Sequence, residues 1–166
     1  MGRPKESAFV GILIVLLLFL PSCVPKHSPY EKGMTIAVWD LDDLSLSATA
    51  LPHLGELLSS QVIETLKKKG DYTFVERDRL LLALQELHLG TTTLVDESTR
   101  LKLGRLIGAR WMVFGGYQAI GDKMRIDLRL VDVENGKVLK ASEKTTTAAG
   151  FPEWLETAKR AAEELL

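Results

Sequence analysis

A single cysteine sets the terms on which this chain can fold. Cys23 is the only cysteine in 166 residues, and it stands directly after the apolar run Ala8 to Leu20 and the residues Pro21 and Ser22. Arg3 and Lys5 precede the run, which is shorter than the roughly 20 apolar residues a membrane span requires. This order reads as an export signal over residues 1–22. The rest of the chain must fold without a disulfide, but residues 33–166 are long enough to bury one sizeable core. Cleavage would remove Arg3, Lys5 and Glu6 and leave 19 basic against 21 acidic residues, a net charge of −2 with histidines neutral. Nothing in that balance favours nucleic acid, whose affinity comes from clustered Lys and Arg. The one basic run, Lys67-Lys68-Lys69, falls at the predicted end of a helix before Gly70, where it complements the helix dipole.

Leu20-Pro21-Ser22-Cys23 resembles the lipobox of bacterial lipoproteins, with Pro21 departing from the residue usual there. The resemblance implies cleavage between Ser22 and Cys23, lipidation of the Cys23 thiol with acyl chains such as palmitate, and attachment to the lipid bilayer. Val24 stands where inner-membrane lipoproteins of enteric bacteria commonly carry aspartate, so the expected location is the outer membrane with the domain facing the periplasm. Residues 23–32, with Pro25 and Pro29, are polar and read as a short tether. At about 3.3 Å per residue it reaches no more than roughly 35 Å. A domain over 33–166 must therefore stay close to its membrane.

The domain opens on Met34-Thr35-Ile36-Ala37-Val38-Trp39, an apolar, partly β-branched run that predicts a buried strand ending at Asp40. Leu51, Leu54, Leu58, Val62 and Leu66 recur at helical spacing up to Lys69, with Gly70 as the stop. Tyr72 to Val75 is a second strand, so the first three elements should form a right-handed parallel unit. Asp78 is placed to cap a helix through Leu81, Leu84 and Leu87 to Gly90, and Thr91-Thr92-Thr93 is an exposed link. Asp96 caps a third helix expected to bury Leu103, Leu106 and Ile107 and to stop at Gly108. A meander comes next. Trp111 to Phe114 begins a strand and Gly121-Asp122 turns it. Met124, Ile126, Leu128 and Leu130 then alternate with Arg125, Asp127 and Arg129. The apolar phase switches to Val131 and Val133, which predicts a bulge near Leu130-Val131. Asn135-Gly136 suggests a type I′ hairpin into a strand over Val138 to Thr146. Phe151, Trp154, Leu155, Ala158, Ala161, Ala162 and Leu165 stripe a last helix with Pro152 in its first turn. The expected fold class is α/β in the α+β sense, a mixed five-stranded sheet with helices packed on it.

Several of these segments, in this order, resemble the CsgG family of curli-secretion lipoproteins. They are Ile36-Ala37-Val38 closing on Asp40, Val75-Glu76-Arg77, and Leu84-Gln85-Glu86. The densest is Leu103 to Arg110 running on through Trp111 to Gly115, and the last is Arg129-Leu130-Val131-Asp132-Val133 through Gly136. The resemblance covers nearly the whole domain. It implies a fold like the amino-terminal domain of TolB (anticodon-binding-like) and a kinship with the lipoproteins FlgO and LpoB. The function it implies is a non-enzymatic outer-membrane accessory of secretion or cell-envelope assembly. Its partners would be envelope or secretion proteins, with self-association through an exposed edge or the Trp111 strand, and it would use no small-molecule substrate, cofactor or metal. The chain lacks the long amphipathic hairpins with which secretion channels of the family build pores. An LpoB-like activator of peptidoglycan synthases is the alternative, against which the short tether argues.

The residues themselves offer one temptation toward chemistry. Asp40-Leu41-Asp42-Asp43 directly succeeds a buried strand, where phosphatases of the haloacid dehalogenase type place a nucleophile and an acid. Asp40 and Asp42 could hold Mg²⁺ there. The later parts of such a site are missing, since Gly121-Asp122 falls in a hairpin, so the expected state is a solvated acidic loop. Glu76-Arg77 reads as an ion pair or cap at a strand end. His53 and His88 are isolated, without metal-ligand spacing. Gly108, Gly115 and Gly136 serve a helix stop, a close approach and a turn.

Overall fold

The computed structural model describes residues 33–46, 51–86, 96–147 and 150–166. Residues 1–32, including Ser22, Cys23 and the tether, lie outside them, as do Leu87, His88, Gly90 and Thr91 to Thr93. Among the described residues no helix is long and apolar enough to cross a membrane.

The elements in chain order are β1 (Thr35–Val38), β2 (Asp42–Asp43), α1 (Leu54–Lys67), β3 (Thr73–Phe74) and α2 (Arg77–Glu86). Then come α3 (Glu97–Leu106), β4 (Trp111–Ile120), β5 (Lys123–Asp132), β6 (Val138–Thr146) and α4 (Phe151–Glu163). The sheet runs β3-β1-β4-β5-β6. Strand β1 lies parallel to β3 and β4, and β4, β5 and β6 are antiparallel neighbours. This is the expected open mixed sheet, with one strand more than the five predicted: the two-residue β2 also pairs with β4. Val38 faces Val113 while Asp42 faces Gly116, so four steps on one strand match three on the other. The extra residue bulges the chain at Trp39 to Leu41 and re-aims its carboxylates.

Both faces of the sheet are packed at its parallel end. On one, α1 and α4 press Leu54, Leu58, Val62, Leu66, Ala158 and Ala162 onto Ile36, Trp111, Ile126 and Leu128. On the other, Leu80, Leu84, Leu103 and Ile107 of α2, α3 and its end cover Ala37, Met112, Phe114 and Val131. A strand buried on both faces reads as a continuous apolar run, which is why Ile36-Ala37-Val38 and Trp111 to Phe114 do not alternate. Strand β5 crosses from one regime to the other. Met124, Ile126, Leu128 and Leu130 are buried on the α4 side. The register then shifts between Leu130 and Val131, so Val131 and Val133 face α3. The phase switch in the sequence is this bulge.

Four local expectations change. Helix α1 begins at Leu54, not Leu51, because His53 at its N-cap is left-handed (φ 58°) and breaks the periodicity behind Pro52. Asp78 lies inside the first turn of α2 rather than at its cap. Leu106 is 64% exposed. On α3 the inward stripe is Arg100, Leu103, Gly104 and Ile107, and Leu106 lies off it. The β5–β6 connection is not a two-residue type I′ turn, since Gly136 but not Asn135 has positive φ. Asp132 takes over the turn instead. Its carboxylate accepts from the Glu134 and Asn135 N–H groups at 3.0 and 3.2 Å, and its carbonyl accepts from Gly136 N at 2.9 Å. That local capping sets a longer loop. Asp96, by contrast, caps α3 as expected, its carboxylate accepting from Thr99 N at 3.0 Å.

Candidate functional site

The acidic segment after β1 is only in part the solvated loop expected: Asp43 is exposed and Asp40 half-buried, but Asp40 and Asp42 are each paired. Asp40 is gripped by Arg77, whose Nε and NH2 donate to Oδ2 at 3.2 and 2.8 Å, and Ser59 Oγ donates to Oδ1 at 3.1 Å. Arg77 also reaches Glu56 of α1 at 3.2 Å. The hydrogen bond to Asp40, with the charges of Asp40 and Glu56, holds the Arg77 guanidinium above its usual range. Glu76-Arg77 is thus half right as a strand-end ion pair: Arg77 supplies it, with Asp40 as its partner. Asp42 is held more tightly. Arg100 NH1 and NH2 donate to its two oxygens at 2.8 and 2.9 Å in a bidentate fork. The Arg100 side chain is 9% exposed, and its guanidinium lies 5.0 Å from the Trp39 ring centroid and 5.9 Å from that of Phe114. A planar cation between two rings, forked onto a carboxylate, is the arrangement arginine fits best. The third carboxylate, Asp43, accepts from Ser45 N at 2.9 Å.

A pair of carboxylates can hold Mg²⁺ only if their oxygens are open to the ion. Those of Asp40 and Asp42 are taken by guanidinium groups from α2 and α3, so the corner ties two helices to a strand end. Among the described residues no group of three or more His, Cys, Asp or Glu is placed to share a metal ion. His53 is exposed, 3.8 Å from Glu56.

The densest segment of the family resemblance and the last one meet in space. From the Leu103–Arg110 segment, Arg105 Nε donates to the Val133 carbonyl at 3.2 Å and Arg110 pairs with Asp132 at 3.2 Å and with Glu134. The loop they hold is that of Asp132 to Gly136. Glycines allow the approach. A Cβ on Gly104 would sit 2.5 Å from Met112 Sδ, and one on Gly115 would sit 2.5 Å from the Asp127 carbonyl. Gly108 and Gly136 take φ of 75° and 69° for the helix stop and the turn. The motif is therefore a clamp between α3 and the β5–β6 hairpin, with no reacting group in it.

Arg100 escaped the sequence reading because a helical arginine is ordinarily solvated. Its signal was the phase: Arg100, Leu103, Gly104 and Ile107 form one i, i+3, i+4, i+7 stripe. The Trp111 strand does not offer an edge for self-association, since β4 is paired on both sides and Trp111 is buried. The edges are β3 and β6. Toward the β4–β5 turn the same face of β5 and β6 is polar: Arg129 still reaches Glu97 at the start of α3 at 3.4 Å, and past it Arg125 pairs with Asp127 and Glu143 at 2.8 and 3.0 Å.

An open mixed sheet, packed helices and carboxylates committed to ion pairs define a small α+β domain. The chain belongs to the CsgG family: the family model described as "Curli production assembly/transport component CsgG" matches residues 22–121. The match ends before the Arg129–Gly136 hairpin, so it is shorter than the resemblance read from the segments. Membership places the protein among bacterial envelope lipoproteins. Among curated proteins, the chain is 29% identical over 133 residues to the Tol-Pal system protein TolB of Syntrophotalea carbinolica, covering 79% of this chain. It spans 30% of that relative's length. Among solved structures, the fold is shared with the LpoB C-terminal domain from Salmonella enterica (TM-score 0.62, 16% identity, 72% of this chain and 86% of that one). It is shared too with the PelC L103M dodecamer from Paraburkholderia phytofirmans (TM-score 0.53, 16% identity, 80% and 87%).

Proposed function

We propose that this protein is a lipid-anchored, non-enzymatic interaction module, held by acylated Cys23 at the outer membrane and facing the periplasm, where it serves secretion or envelope assembly. The observation that carries the reading is the acidic corner. Its two candidate catalytic carboxylates, Asp40 and Asp42, are each bound to an arginine, so the place most suggestive of a reaction works as a brace. The polar outer face of β5 and β6 speaks against a pore. Lipid would have to cover Arg125, Asp127 and Arg129 there, and a spanning strand needs about 9–11 residues with an apolar outer face. The partners are envelope or secretion proteins and further copies of the chain, for which β6 is the longer free edge. The likeness to a PelC dodecamer supports testing self-association by light scattering.

The likeness to the LpoB domain keeps a second reading, activation of peptidoglycan synthases at the inner membrane. One experiment separates them. Intact mass and membrane fractionation of wild type and Cys23→Ala should show acyl mass and outer-membrane residence for wild type, both lost in the variant. Inner-membrane residence would favour the activator. A wild type that is soluble and unacylated would refute the anchored module.

A further inference from the structure

The place where the chain enters the fold lies beside its one lysine run. Gly33 N donates to the Asp71 carbonyl at 2.8 Å, and Thr73 N to the Met34 carbonyl at 3.0 Å. The first described residue is therefore fastened to the connection between α1 and β3, two residues past Lys69. Lys67, Lys68, Lys69 and Gly70 are all exposed there. Lys67 pairs with Glu64 at 3.0 Å. Among the described residues Lys68 and Lys69 have no carboxylate partner, and Asp71 is the only other carboxylate in the connection. As a helix end the run needs one cation in its last turn to complement the dipole, and Lys67 already fills that role.

Ten residue steps separate Cys23 from Gly33, a contour of at most about 36 Å. Resting on the lipid anchor proposed above, we infer that the α1–β3 connection is the membrane-facing pole of the domain, where Lys67 to Lys69 bind the headgroups of anionic phospholipids in the leaflet that holds the acyl chains. The anchor brings this pole closest to the bilayer. Lysine suits the partner, a diffuse layer of phosphates, because it acts as a mobile point charge needing no fixed geometry. At about 1 kcal/mol per lysine near an anionic surface, Lys68 and Lys69 together favour the docked orientation about 30-fold. The opposite pole, with the β4–β5 turn at Gly121-Asp122, then points into the periplasm along with the far end of β4.

The test uses the full lipidated protein in vesicles, with lysine acetylation read by peptide mass spectrometry. In phosphatidylglycerol–phosphatidylcholine vesicles, Lys68 and Lys69 should label up to about 30-fold more slowly than in pure phosphatidylcholine. Lys123, exposed at the far turn, is the internal reference and should label equally in both. Protection should vanish at high salt, as expected for a screened surface interaction. A K68E/K69E variant should carry the same acyl mass and lose the protection at Lys67. Equal labelling of Lys68 and Lys69 in the two lipids, with acyl mass present, overturns the orientation and leaves the anchor standing. Absence of acyl mass on wild type overturns both.

Discussion

Replacing Arg100 by methionine tests whether the acidic corner is a brace or a site. The substitution keeps much of the side-chain bulk between Trp39 and Phe114 and removes the fork to Asp42. Removing one partner of a fully buried pair costs about 3–5 kcal/mol. Here the Arg100 side chain is 9% exposed and that of Asp42 26%. The stranded carboxylate can be partly rehydrated, which lowers the expectation to about 2–3 kcal/mol. Loss of the two ring contacts contributes up to about 1 kcal/mol of that. For a domain of this size the change lowers Tm by roughly 8 °C. Urea melts of wild type, Arg100→Met, Asp42→Asn and the double variant complete a cycle, and the pair should couple by at least about 1 kcal/mol. If the single losses are below about 0.5 kcal/mol, or add within that margin, the pair does not hold α3 to the strand end and the corner is no brace. A rise of wild-type Tm on adding Mg²⁺ would equally refute it, since it would mean the oxygens are available to a cation.

Other features of the fold set further expectations. Gly55→Ala should lower stability by about 1–3 kcal/mol in urea melts, because its Cβ would run into the backbone carbonyl of Leu41 where α1 meets the bulged strand. The Asp96 carboxyl should titrate at about 2 by carbon-detected NMR, held down by the Ser98 and Thr99 hydroxyls and the Thr99 N–H. Because that value lies below the unfolded one near 4, its contribution is present above pH ~4 and is lost as pH falls toward about 2. An Asp96→Asn variant should lose that part of the acid dependence. In planar bilayers or dye-loaded vesicles the purified lipoprotein should give no stable channels, and reproducible conductance steps would refute the non-pore reading.

The sequence alone determined what depends on near neighbours in the chain. Helical spacing located α1 and α4, the alternation of Met124 to Leu130 located β5, and the phase switch at Val131 located its bulge, because burial on one face imposes a period. Glycines at 108 and 136 marked backbone with positive φ, which other residues enter only at a cost. The order of short segments sufficed to point to the family. Tertiary structure decided the rest. Asp40 and Arg77 are 37 residues apart and Asp42 and Arg100 are 58 apart, so no local rule could tell a carboxylate open to water or metal from one committed to a guanidinium. Leu106 and Arg100 exchanged their ordinary places because the contact face of α3 is set by what it packs on. The entry of the chain beside the lysine run likewise exists only once β1 and β3 lie side by side. Charge and hydropathy are properties of residues, but neutralisation and burial are properties of pairs, and the fold selects the pairs.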